Sequence, residues 1–308
     1  MPKLSELKFK YIKEVFLKTA KRWNDADPFR QSAIIAFYAI FSLPSLLVII
    51  IAIAGYFFGE EAVSGNLQNE ISEMIGPDSA EMVEDLVANA TVADSGTWGV
   101  IMGVGLLIFG ATTVFFQLQK SLNRIWGVLP KPDQAIKKML LDRLFSFGLV
   151  LVIAFLLLIS LALTSVMAVL GDWLMTWWPS YLYILFIILN FIVSLAVIAT
   201  LFAMMFKLLP DAIIRWESVW VGAFLTALLF EIGKFALGLY FGLAEPESVY
   251  GAAGSIILVM MWVSYVCMIV FFGAEFTRNW AVKFGHGIKP KANAILVEDN
   301  LQDPYYIE

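Results

Sequence analysis

Residues 219–242 read VWVGAFLTALLFEIGKFALGLYFG. At a rise of about 1.5 Å per residue, the stretch is long enough to cross the roughly 30 Å of hydrocarbon in a bilayer as one helix. Its middle nevertheless carries Glu231 and Lys234. An ionised side chain at that depth costs about 2.5–3.5 kcal/mol on insertion scales, so both residues are expected to face protein or water and to find partners. Three-residue spacing places them on one helical face, where they can meet each other or a neighbouring helix.

The chain around this helix has 308 residues, 60% of them hydrophobic and 15% charged. Its mean hydropathy is +0.80. Such a composition excludes an ordinary soluble domain and predicts an all-α, polytopic membrane protein. Six runs, 31–58, 98–119, 144–170, 181–206, 219–241 and 251–274, are each long enough to span. Only the fifth holds ionisable residues well inside it. The first apolar run is far longer than a signal-peptide core and is expected to remain as an uncleaved span.

Lys and Arg set the orientation. The N-terminal segment 1–30 carries eight, the 120–143 connection six, the 207–218 connection two and the tail 277–308 four, whereas the connections 59–97, 171–180 and 242–250 carry none. Both termini are therefore predicted to be cytoplasmic. Loop 59–97 holds nine acidic residues and no basic one. Gly76-Pro77 breaks it, and Asp78 with Glu81 makes a capping-box pattern, so an extracytoplasmic helical cap is expected there. The bland alternative is a solvated outer surface.

The N-terminal segment has an apolar stripe of Leu4, Leu7, Tyr11, Val15, Thr19 and Trp23, widened by Ile12 and Phe16, with lysines on the rest. That pattern predicts an amphipathic helix lying on the cytoplasmic leaflet and held by membrane lipids. Asp133 is placed to cap a second amphipathic turn, 134–143. Pro44 interrupts the first span and predicts a kink or a locally opened helix. Small residues at four-residue spacing, Gly99/Gly103, Gly238/Gly242 and Gly251/Ser255, predict close helix packing. After Gly285 the tail lacks periodicity and is expected to be loosely ordered, with local docking open to 294–297.

The residue inventory narrows the chemistry. A single cysteine, Cys267, rules out an internal disulfide, and a single histidine, His286, leaves no transition-metal site; no cofactor and no metal are expected. No GxxxxGK[ST] element is present, so transport, if any, is secondary or facilitated.

Several stretches taken in order resemble the YihY/BrkB-like family of bacterial inner-membrane proteins, formerly labelled ribonuclease BN. They are AFYAIFSLP at 36–44, SLNRIWGV at 121–128, DRLFSFG at 142–148, Leu209-Pro210, Trp216 with the FEIGKFALGLYF run at 230–241, YGAAGS at 250–255 and Gly273-Ala274-Glu275. The resemblance covers most of residues 10–280 and implies a six-span protein of the bacterial inner membrane, with suggested links to envelope maintenance and to lipid or solute export.

Candidate substrate or gating positions are Glu231, Lys234, Tyr38, Arg124, Arg143 and Tyr250. Arg124 and Arg143 stand at the predicted cytoplasmic ends of the second and third spans, where an arginine meets an anionic headgroup or solute, or merely snorkels. Tyr38 and Tyr250 are carried by the family motifs, and as aromatics near span ends they also suit interface anchors. Two functions remain: a secondary transporter, exporter or flippase-like protein for a lipid or small amphipathic or anionic solute, and a non-transporting structural or assembly factor in which Glu231 and Lys234 form a packing pair. An enzyme is not expected. Metal-assisted RNA cleavage needs clustered acids or histidines on the cytoplasmic side, whereas the acid cluster lies on the other, so no nucleic-acid partner is expected either. Self-association into a homo-oligomer stays open.

Overall fold

A computed structural model describes residues 9–59, 97–131, 180–244, 254–285 and 287–297, with parts of 64–72 and 80–85. Among these residues the protein is mostly helical. The helices are α1 (Phe9–Asp25), α2 (Pro28–Phe58), α3 (Thr97–Trp126), α4 (Ser180–Leu208), α5 (Trp216–Ala244) and α6 (Gly254–Phe284). Short strands β1 (Val128–Pro130), β2 (Ala212–Ile213), β3 (Lys289–Pro290) and β4 (Ala294–Leu296) lie beyond the ends of α3, α4 and α6. Three described stretches, Ile188–Leu208, Trp216–Tyr240 and Ile256–Phe284, are long and apolar enough to cross a membrane. Large side chains such as Phe41, Phe191, Phe224 and Phe235 are exposed along the helices, as suits surfaces solvated by lipid tails.

α6 is the centre of the assembly. It packs against α1, α2, α3 and α5, while α4 leans on α5 and α3 on α2. The sixth helix runs on to Phe284, past the end at 274 expected from hydropathy, because its last turns have a partner in α1. Most of the largest fully buried side chains, including Trp126, Phe206, Leu122, Ile214 and Val219, gather where α3 and α4 end and α5 begins. We refer to this as the base. A smaller cluster, Leu47, Val83 and Val259, joins the acidic loop to α2 and α6. Past Gly59 the described residues of that loop are helical, and Gln68 Nε2 donates to Glu84 Oε2 at 2.8 Å.

Chain entry into α2 is an elbow. Asp27 takes a left-handed conformation, φ 53°, immediately before Pro28, which suits the first helical turn because its missing N–H would have had no partner there. Arg30 Nε meets Asp27 Oδ2 at 2.9 Å across the bend. α2 stays helical through Pro44, so the predicted break is at most a bend within a continuous helix.

One expectation is corrected in part. The local docking left open for 294–297 is present, since β4 pairs antiparallel with β1, matching Leu129 to Ile295, but the order is wider than a loose tail allows, because β3 also pairs with β2, matching Ile213 to Lys289. Backbone partners supply the order that side-chain periodicity did not signal. Among the described residues a β-carbon on Gly238 would meet nothing within 4 Å, while close approaches occur at Gly222, Gly233 and Gly273 and, just past α6, at Gly285. The third span 144–170, the turn 134–143, Asp78 of the capping box, Gly242, Gly251 and His286 have no described side-chain placement.

Candidate functional site

The middle of α5 is shaped by its seam with α6. Both helices carry the sequence Gly-Ala-x-x-Thr, at 222–226 and 273–277, and because they run antiparallel each glycine faces the other helix's threonine. A β-carbon on Gly222 would fall into the Thr277 hydroxyl, and one on Gly273 into that of Thr226. Each threonine hydroxyl donates to the glycine carbonyl four residues back on its own helix, both at 2.7 Å, so the polar atoms in this dry contact are satisfied locally. Further along, the Tyr265 hydroxyl of α6 lies over Gly233.

This seam fixes where Glu231 and Lys234 stand. At 100° per residue, Lys234 lies roughly 100° and Glu231 roughly 160° around α5 from Gly233. Glu231 is thus turned away from α6. Both side chains are half-buried. Phe230 beside Glu231 touches Phe202 of α4 and Trp262 of α6, with centroids 5.9 Å away in each case, so the charged positions sit at the rim of an aromatic wedge.

The other sequence-derived candidates are scattered. Tyr38 is exposed on α2, edge-on to Phe37 at 5.8 Å, and its carbonyl accepts from Ser42 Oγ at 2.9 Å. Arg124 is exposed in the last turn of α3 at the base, far along the chain's fold from the α5 midpoint. Arg143 and Tyr250 lie outside the described residues. Among the described candidates Glu231 and Lys234 alone share one helix, three residues apart on α5.

Two sets of polar contacts were not anticipated. At the base, Asn123 Nδ2 donates to Asp211 Oδ2 at 2.9 Å, and the Asp211 N–H donates back to Asn123 Oδ1 at 2.7 Å. Both residues are buried. Along α6, Glu275 is 3% exposed and meets Arg22 Nε of α1 at 3.1 Å. Asn279 Nδ2 donates to Thr19 Oγ1 at 3.1 Å, Trp23 Nε1 donates to the Met268 carbonyl at 3.0 Å, and Lys283 Nζ meets Glu14 Oε2 at 2.5 Å. The α1 stripe therefore docks on protein through Val15, Thr19 and Trp23, while Ile12, Phe16 and Leu17 remain exposed. A usable signal was present, since Asn123 and Glu275 sit inside two of the motif stretches. Hydropathy counts them only as isolated polar residues at helix ends.

Among the described residues no group of three His, Cys, Asp or Glu side chains converges as a metal site requires.

Comparison with known proteins adds kinship. The family model described as Virulence factor BrkB matches residues 19–294. A UPF0761 membrane protein of Rhodospirillum centenum is 30% identical over 263 residues, 83% of this chain and 55% of the relative. Similar proteins occur in Pseudoalteromonas translucida, 24% identical over 79% of this chain and 78% of the relative, and Alcanivorax borkumensis, 23% identical over 90% and 62%. The chain thus spans little more than half the length of several curated relatives. No solved structure matches.

Proposed function

Since the chain belongs to the Virulence factor BrkB family and is a multi-pass protein of the bacterial inner membrane, we propose that it moves a lipid or a small amphipathic, anionic solute across that membrane without nucleotide hydrolysis. The observation that carries this is the placement of Glu231 and Lys234. Both are half-buried on an apolar helix, and Glu231 faces away from the sealed α6 seam. Ionisable groups within an apolar helix, at the rim of a bundle, suit a polar path.

The finer topology belongs to this proposal: six spans, both termini cytoplasmic and the acidic loop outside. Arg124, Lys207 and Lys283 occupy the last turns of α3, α4 and α6, and the acidic loop packs on the opposite part of α2 and α6. This charge asymmetry between the ends supports that orientation. The partners are membrane lipids, neither enzyme activity nor nucleic-acid binding forms part of the proposal, and self-association is left to experiment. The α5–α6 seam favours a second function, a rigid assembly factor, because backbone contact of that kind leaves no room for sliding.

The test uses the full chain in vesicles of phosphatidylethanolamine and phosphatidylglycerol. Fluorescent-lipid translocation and efflux of a small anionic dye are measured side by side. The wild type should accelerate at least one of them, and Glu231→Gln and Lys234→Met should each slow it by on the order of tenfold. Vesicles no faster than protein-free ones in both assays would sink the transport proposal in favour of the assembly factor.

A further inference from the structure

We propose that residues 287–297 form a latch that holds the end of α3 against the α4–α5 connection and lets both go as one unit. This stands independently of any transported substrate. The segment runs from β3, paired with β2 in the α4–α5 connection, to β4, paired with β1 just after α3. Val297 N–H donates to the Gly127 carbonyl at 2.8 Å and Lys131 N–H to Asn293 at 3.1 Å, bracketing one ladder; Lys291 N–H donates to the Asp211 carbonyl at 2.9 Å in the other. By antiparallel alternation Pro130 and Pro290 both fall at non-hydrogen-bonded positions, so neither proline costs a ladder bond.

Asp211 is the bolt. Its carboxylate accepts from Asn123 Nδ2 at the end of α3 and from Asn293 Nδ2 of the latch at 3.4 Å, while its own backbone bonds both segments. Three separate stretches thus meet on one buried residue. Lys291 Nζ reaches the Leu208 carbonyl at 3.3 Å, and Lys131 Nζ the Ala292 carbonyl at 2.9 Å, so cations close on carbonyls at the helix end and in the latch turn.

The segment is held mainly by these polar bonds, its apolar anchors being the partly buried Ile288 and the buried Ala294. In β4 only Ala294 is buried; Ile295 and Leu296 are 44% and 51% exposed. Segments with few buried apolar contacts open at lower free energy than packed helices, so this tie releases while the bundle persists. Because Asp211 is shared, loosening either ladder loosens the other.

Hydrogen exchange of the full chain in lipid nanodiscs decides the matter, with Ile295→Pro removing a donor from the β1–β4 ladder alone. A latch predicts that exchange rises on the order of tenfold both at 127–131 and at 211–214, although Ile295 pairs only with the first. Faster exchange at 127–131 with 211–214 unchanged would overturn it. If Ile295→Pro does not fold, Asn293→Ala is read by the same criterion: both loops accelerate together, or the latch does not exist.

Discussion

The hydroxyl of Thr277 fills the space that a β-carbon on Gly222 would need, and Thr277 Cβ stands only 2.8 Å from that point. The relation is reciprocal through Thr226 and Gly273. It makes α5 and α6 one rigid pair whose spacing is set by the absence of two side chains.

Gly222→Ala should therefore lower thermal stability in detergent by about 1–3 kcal/mol through overpacking. Adding Thr277→Ala should restore part of the loss, giving a coupling of about 0.5–3 kcal/mol in a double-mutant cycle. Gly238→Ala is the control. Its β-carbon meets nothing within 4 Å among the described residues, so a gain of up to about 1 kcal/mol from helix propensity is expected. Equal effects at 222 and 238 would mean that the seam is not closed in the membrane.

The transport proposal treats Glu231 and Lys234 as separate sites on α5 and not as one packing pair. Glu231→Gln and Lys234→Met should add in thermal unfolding to within about 0.5 kcal/mol. A double variant clearly more stable than either single one would reveal a buried pair and restore the structural role.

Arg22 and Glu275 should pin α1 to α6. Glu275 is buried while Arg22 is 26% exposed, so solvent screens one end, and Arg22→Ala is expected to cost between the roughly 1 kcal/mol of a surface pair and the roughly 3–5 kcal/mol of a fully buried one. Trypsin cleavage after Lys13 or Lys18 in detergent reports it. Cleavage should quicken in Arg22→Ala, and an unchanged rate would mean that Val15, Thr19 and Trp23 hold the helix unaided.

Trp126 is 1% exposed, and among the described residues its indole N–H meets no acceptor. Burying such a donor unsatisfied costs about 1–3 kcal/mol, which offsets what the larger ring gains by packing against Phe206. Trp126→Phe should thus leave the unfolding temperature nearly unchanged, whereas Trp126→Ala should cost about 3–5 kcal/mol through the cavity. A steep loss on Trp126→Phe would show that the indole is bonded in the membrane.

Period and length of the apolar runs, together with the basic and acidic sorting of the loops, made helices α2, α4, α5 and α6 legible in advance, because hydrocarbon thickness and backbone hydrogen bonding leave a spanning segment little choice of form. The same physics picked out Glu231 and Lys234, since a charge inside an apolar run is visible without coordinates. Their facing was not. It depends on which side of α5 meets α6, and that was decided by Gly222, Gly233 and Gly273 against Thr277, Tyr265 and Thr226, contacts between residues far apart in the chain. Asn123 and Asp211 likewise look like two isolated polar residues until folding places the end of α3 beside the α4–α5 connection. Sequence alone determined that this chain enters the membrane as helices and carries charge within one of them. Tertiary structure decided which helices lock, which way that charge turns and where the tail closes the base, because close packing and reciprocal hydrogen bonds are properties of pairs that no single stretch contains.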